Sequence, residues 1–202
     1  MRVTSLLIGL FAACATLSLA VPSAIAQVPR PEMSIGDQPG QIAPEGEDMV
    51  DPVYRRQPVF YRTTEPAGTI IVDTQQRFLY LVQGNQRAIR YGIGVGRDGF
   101  QWGGMLKITR KAEWPDWTPP AEMIERQPYL PRWMAGGPGN PLGARAMYLG
   151  NTIYRIHGTN QPETIGSAIS SGCFRLVNDM VADLYERVPV GTKVIIRHQP
   201  TL

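Results

Sequence analysis

The 202-residue chain predicts a mainly β domain, a sandwich or barrel-like body with one packed helix and long loops facing a substrate. Three observations carry this. From Gly68 onward, short apolar runs recur with the spacing of strands; turn signals punctuate them; and only one long stretch repeats its apolar residues at helical intervals.

Taken in order, Val59-Phe60-Tyr61 is a leading strand. Residues 69–73, around Ile70-Ile71-Val72, and residues 77–82, with Phe78-Leu79-Tyr80-Leu81, are the next two. Gln83-Gly84-Asn85-Gln86 reads as a hairpin turn into a strand over 87–95. Leu106, Ile108, Arg110 and Ala112 alternate within a strand over 105–113. Residues 146–149 and 152–157 flank the turn Gly150-Asn151, and Val194-Ile195-Ile196 follows the turn Val190-Gly191-Thr192. The helix begins at Asn178, read as its cap, buries Met180, Val181, Leu184 and Val188, and stops before Pro189. A short helix is predicted over 120–126. The rest of 96–145 reads as a loop system, with Trp114, Trp117 and Trp133 among glycines and prolines; these rings either wall a binding site or cover the edge of the core.

Ahead of this body, residues 1–26 have the form of a cleaved signal peptide: Arg2, an apolar stretch, Pro22, then Ala24-Ile25-Ala26. An uncleaved anchor and a lipoprotein at Cys14 fit less well, because Pro22 breaks the helix and Phe11-Ala12-Ala13 is a poor lead-in. The reading is export to the periplasm with no membrane span after cleavage. Residues 27–52 are read as a disordered linker rich in proline and acids, 53–67 as a leading segment, 68–197 as the folded domain and 198–202 as a tail. The net charge of +3 comes from 17 arginines and 3 lysines that are scattered, which argues against nucleic acid as a partner. With two histidines and two cysteines the chain offers no metal-ligand pattern, and no cofactor is expected.

Cleavage would remove Cys14 and leave Cys173 without an intramolecular disulfide partner. Oxidising compartments select against idle thiols, so Cys173 is read as a nucleophile and His157, 16 positions upstream, as its base. The motifs His157-Gly158-Thr159-Asn160, Ile165-Gly166, Ser170-Ser171-Gly172-Cys173-Phe174-Arg175-Leu176 and Asn178-Asp179 together resemble the active-site block of the YkuD-type L,D-transpeptidases. Ser171 stands where the commonest family pattern has a second histidine.

The resemblance implies a cysteine acyltransferase on peptidoglycan stem peptides, in which Cys173 and His157 form a thiolate–imidazolium pair and the carbonyl of Gly158 orients the imidazole. Gly172 would turn the chain so that backbone N–H groups face the oxyanion. Arg175 would grip a stem-peptide carboxylate, or else sit in a structural ion pair with Asp179 or Asp183. Ser170, Ser171, Thr159 and Asn160 complete the substrate-binding set, the last two more as loop-fixing residues. Acceptors implied by the family are another stem's amine, a wall-anchored outer-membrane protein, a free D-amino acid, or water. A peptidoglycan-binding module without turnover is the alternative. A papain-like peptidase is disfavoured because its cysteine ordinarily precedes its histidine.

Overall fold

The computed structural model describes Gly40 and residues 46–198. The leader, Cys14, most of the linker and residues 199–202 lie outside the described residues. Among the described residues the chain runs β1 (Gln57–Phe60), β2 (Ile70–Asp73), β3 (Phe78–Gly84), β4 (Arg87–Gly92), β5 (Val95–Gly96), β6 (Gly104–Glu113), α1 (Ala121–Arg126), β7 (Arg145–Leu149), β8 (Arg155–His157), β9 (Ala168–Ser170), β10 (Phe174–Arg175), α2 (Asn178–Arg187) and β11 (Lys193–Arg197). Nine strands form one sheet in the order β1-β4-β3-β2-β11-β6-β7-β8-β10, and β5 pairs with β9.

β6 joins the two halves of this sheet. Its first residues pair antiparallel with β11 and its later ones with β7, with a register shift between Ile108 and Arg110. The two halves share one core. Ile70, Val72, Leu79, Leu81, Val194 and Ile196 enter it from one half, Met147, Leu149, Ile156 and Phe174 from the other, and Met180, Val181 and Leu184 from α2. This is the mainly β, one-helix architecture that the periodicity predicts, and burial of these side chains is its main driving force.

The unbroken run Ile70-Ile71-Val72 has a structural cause. Ile71 faces a second cluster with Tyr80, Val82 and Ala88, where Tyr61 stacks on Tyr80 at 4.3 Å and Glu65 pairs with Lys193 at 2.7 Å. With both faces covered, the strand does not alternate. The hairpin after β3 turns on Asn85 and Gln86, both at positive φ (49° and 56°), as a two-residue turn with the twist of its strands requires.

Three expectations are corrected. The linker read as disordered to residue 52 gives way to order by Gly46: Val50 is buried in the main core, and Glu47 and Asp48 pair with Arg56 and Arg55. β8 starts at Arg155 rather than at residue 152, because the Thr152 hydroxyl donates to the Leu149 carbonyl at 2.7 Å and closes the turn. Asn178 is not the cap of α2; Val177 holds that place, and the amide of Asn178 is used elsewhere.

The helix is tied to the sheet by charge. Asp183 accepts from Tyr91 Oη at 2.7 Å and from Arg187, and pairs with Arg56 at 2.6 Å. Burial alone would raise its carboxyl, but the hydrogen bonds from Arg187, Tyr91 and Arg56 outweigh it and hold the pKa down from 3.8 to about 2. A depressed carboxylate stabilises the fold above its unfolded pKa and loses that contribution as pH falls through the folded one. Asp183→Asn is therefore expected to cost about 1–3 kcal/mol in urea unfolding at pH 7, with the gap to the unsubstituted protein closing between pH 3.8 and about 2.

Candidate active site

β8 presents alternate side chains to opposite faces. Ile156 enters the core, while Arg155 and His157 both line a cleft enclosing about 740 Å³, part of it open to solvent. His157 pairs with Ala146 of β7 on one side and Arg175 of β10 on the other. The small alanine leaves room for the ring; the arginine sets a charge beside it.

The ring's orientation follows from one contact. Nδ1 lies 2.6 Å from the carbonyl oxygen of Gly158, and a carbonyl can only accept, so Nδ1 carries the proton and Nε2 is left as the acceptor. His157 is buried. Burial, followed by the positive charges of Arg155 and Arg175, pulls its pKa down from 6.5 to about 3, against the carbonyls of Gly158 and Leu142, which favour the charged ring. The imidazole of the unliganded chain is thus held toward its neutral form near pH 7.

Cys173 lines the same cleft. It is a half-buried thiol, in no disulfide among the described residues, at the turn between β9 and β10, and its Sγ lies 3.9 Å from the carbonyl oxygen of Ile153, to which it donates. Gly172 makes the turn at φ +105°, and a Cβ there would fall 2.6 Å from the ring of Tyr154. That ring is stacked on Trp102 at 4.4 Å, and the Trp102 indole N–H donates to the Gly172 carbonyl at 2.9 Å. Ser170 closes the loop by donating to the Cys173 carbonyl at 2.7 Å and accepting from the Gly172 N–H at 3.2 Å. The Gly172 N–H is thereby taken up by that serine.

The other predicted residues divide between cleft and loop. Ser170, Ser171 and Arg175 line the cleft. Arg175 is only 2% exposed, and Asp183, suggested as its partner, pairs with Arg56 and Arg187 instead. Thr159 and Asn160 are buried and do not belong to the lining: the Thr159 hydroxyl accepts from the Gln161 N–H at 3.0 Å, and Asn160 donates to the Gly139 carbonyl. Both hold neighbouring loop backbone, outside the cleft lining.

Several residues escaped the sequence reading. Asn178 accepts from the Ala144 N–H at 2.9 Å and fills the space beside Gly143 and Gly158, where any side chain would collide with it. As a polar residue opening an apolar helix it looked like a cap. The lobe over residues 114–142 has its own small core of Trp117, Met123, Leu130 and Leu142, and Trp117, Met123 and Leu142 also face the cleft. Trp114 and Trp133 are exposed, so the three tryptophans do not act alike. Nothing but tertiary contact marks Trp102 and Tyr154 as supports of the cysteine turn.

The model of the YkuD family, the L,D-transpeptidase catalytic domain, matches residues 67–196. The chain belongs to that family. Among similar proteins, the "Probable L,D-transpeptidase YbiS" of Escherichia coli K12 is 38% identical over 66% of this chain and 45% of its own length. "Probable L,D-transpeptidase ErfK/SrfK" of the same organism is 37% identical over 66% of this chain and 44% of its own. The chain thus spans less than half the length of these curated relatives. An L,D-transpeptidase structure from Mycobacterium smegmatis shares the fold at a TM-score of 0.51, with 16% identity over 64% of this chain and 58% of that one. A Brucella melitensis chain described as a "Probable carnitine operon oxidoreductase caia" is 51% identical over 73% of this chain and 96% of its own, at a TM-score of 0.49; that description stays with that chain. The YkuD assignment rests on the domain match.

Two outcomes are expected from this geometry. Gly172→Ala, strained at positive φ and driven against Tyr154, should lower stability by about 1–3 kcal/mol in urea and slow alkylation of Cys173 by displacing its turn. Second, a depressed histidine stabilises the fold above its unfolded pKa and loses that contribution as pH falls. Stability should therefore drop between pH 6.5 and about 3, by up to about 1.4 kcal/mol per pH unit for one proton, and His157→Gln should flatten that slope in urea titrations above pH 4.

Proposed function

We propose that the chain is a peptidoglycan L,D-transpeptidase acting through a thioester on Cys173. The observation that carries this is a thiol and an Nε2-basic imidazole in one cleft, on His157 and Cys173. In the first half-reaction the sulfur bonds to the carbonyl carbon of the third stem residue, on its L-centre. The bond to the terminal D-alanine breaks, and the thiol proton passes through His157 Nε2 to the leaving amine. In the second, an acceptor amine attacks the thioester, the carbon–sulfur bond breaks, and His157 returns the amine's proton to sulfur.

A resting neutral imidazole suits this sequence, because His157 must be free to accept a proton when attack begins. The charged ring then exists only while the tetrahedral species carries its own negative charge. The enzyme acts in the periplasm on stem peptides, with a stem amine or a wall-anchored outer-membrane protein as acceptor; water would make it a carboxypeptidase.

Incubated with disaccharide tetrapeptide, the protein is expected to release D-alanine and form a dimer by mass spectrometry, with Cys173→Ala and His157→Ala reduced at least 100-fold. Release of D-alanine without dimer would reassign the acceptor to water. No difference between the protein and Cys173→Ala would end the enzyme reading, and stem-peptide binding that survives that substitution without turnover would replace it with a binding module.

A further inference from the structure

The charged residues that line the cleft are three arginines, Arg126, Arg155 and Arg175, against a single carboxylate, Glu122. Such a lining favours an anionic guest, and the three cations are not equally able to receive one. Arg175 is 2% exposed and packs on Gly94 so closely that a Cβ there would lie 3.1 Å from its Nη2. Arg126 stands over the ring of Phe100 at 4.8 Å, on the six-residue α1. Arg155 is different: it is half-buried, on a strand, and two residues from His157.

Its setting is built. Arg110 of β6, Tyr148 of β7 and Arg155 of β8 are in register across three strands. The Tyr148 ring has the Arg110 guanidinium at 3.5 Å and the Arg155 guanidinium at 5.2 Å. Nη1 of Arg155 donates to the Ile153 carbonyl at 3.0 Å, the same oxygen that receives the Cys173 thiol. The guanidinium is thereby held beside the sulfur. Its Nε is buried without a hydrogen-bond partner, and among the described residues no carboxylate pairs with it. A planar cation positioned by an aromatic ring and one carbonyl, with donors unspent, is suited to a carboxylate.

We propose that Arg155 is a specificity-determining residue of the cleft, receiving a substrate carboxylate that lies within one residue of the carbonyl attacked by Cys173. This rests on the transpeptidase reading. Two groups of the donor peptide have that chemistry: the terminal carboxylate of the departing D-alanine and the side-chain carboxylate of the diaminopimelate before it. Either would pair with the Arg155 guanidinium and place the scissile carbonyl near the sulfur whose contact oxygen Arg155 shares. Arg175, sealed in the β10 edge, keeps the charge beside His157 and is not the residue that grips.

The test separates this from catalysis by measuring binding on the Cys173→Ala protein. Calorimetry is run with three peptides: the tetrapeptide, its C-terminal amide and its diaminopimelate side-chain amide. Arg155→Gln in that background is expected to weaken the tetrapeptide roughly 10- to 100-fold, as loss of a charge-assisted hydrogen bond implies. Arg155→Lys should fall between, and one amide should bind both proteins alike, which names the carboxylate. An equal loss on all three peptides, no loss on any, or no binding of any peptide to Cys173→Ala overturns the proposal. Near-UV circular dichroism and the Lys variant report whether Arg155→Gln still folds. Peptide turnover by the unsubstituted protein is scored separately, so carboxylate-dependent binding without turnover would sink the transpeptidase reading and leave Arg155 as the carboxylate-binding residue of a peptide-binding cleft.

Discussion

The site depends on the pairing of one three-residue strand. β8 is held antiparallel to β7 and parallel to β10, which places His157 between Ala146 and Arg175. A slip of one residue would exchange Ile156 with its neighbours and turn the imidazole into the core. The register is enforced by the full burial of Ile156, Met147 and Phe174, so core packing and site geometry are one constraint. The Gly158 carbonyl adds the last degree of order by fixing which ring nitrogen is basic.

That placement creates a tension between charge and burial. Two guanidinium groups flank a buried imidazole and oppose its protonation. The arrangement costs the ring basicity, and under the proposed mechanism it leaves the imidazole able to accept a proton. A carboxylate held by Arg155, as proposed, would offset that field at the ring and favour the imidazolium. The thiol side is built differently, from backbone and aromatic support: Ser170 braces the turn, and Trp102 and Tyr154 leave Gly172 no room for a side chain.

The remainder of the molecule keeps these pieces in place. α2 reaches back through Asn178 to the backbone beside Gly143 and Gly158. Its other end is held by Lys111, whose ammonium donates to the carbonyls of Tyr185 and Val188 at 2.6 and 2.9 Å, complementing the negative end of the helix dipole. Segments ahead of the family domain also take part. Val50 enters the core and Arg56 joins the carboxylate of α2, so the chain before residue 67 is structural as well as connective.

Much of this was legible in the residues. Short apolar runs, alternation and turn chemistry locate β2, β3, β4, β6, β7 and β11, because in those strands local pattern and burial agree. β9 and β10 were missed; each is two or three residues long and owes its extended form to a parallel partner remote in sequence, Val95-Gly96 for one and Ile156-His157 for the other. Cys173, His157 and the family were readable because their spacing along the chain is itself the signal. Whether Asn178 caps a helix or ties down a loop, which nitrogen of the His157 ring carries the proton, and which arginines line the cleft were decided by the tertiary structure alone. A sequence specifies residue types and their order, whereas hydrogen-bond partners, desolvation and the field at a ring nitrogen depend on which distant strands are brought into register.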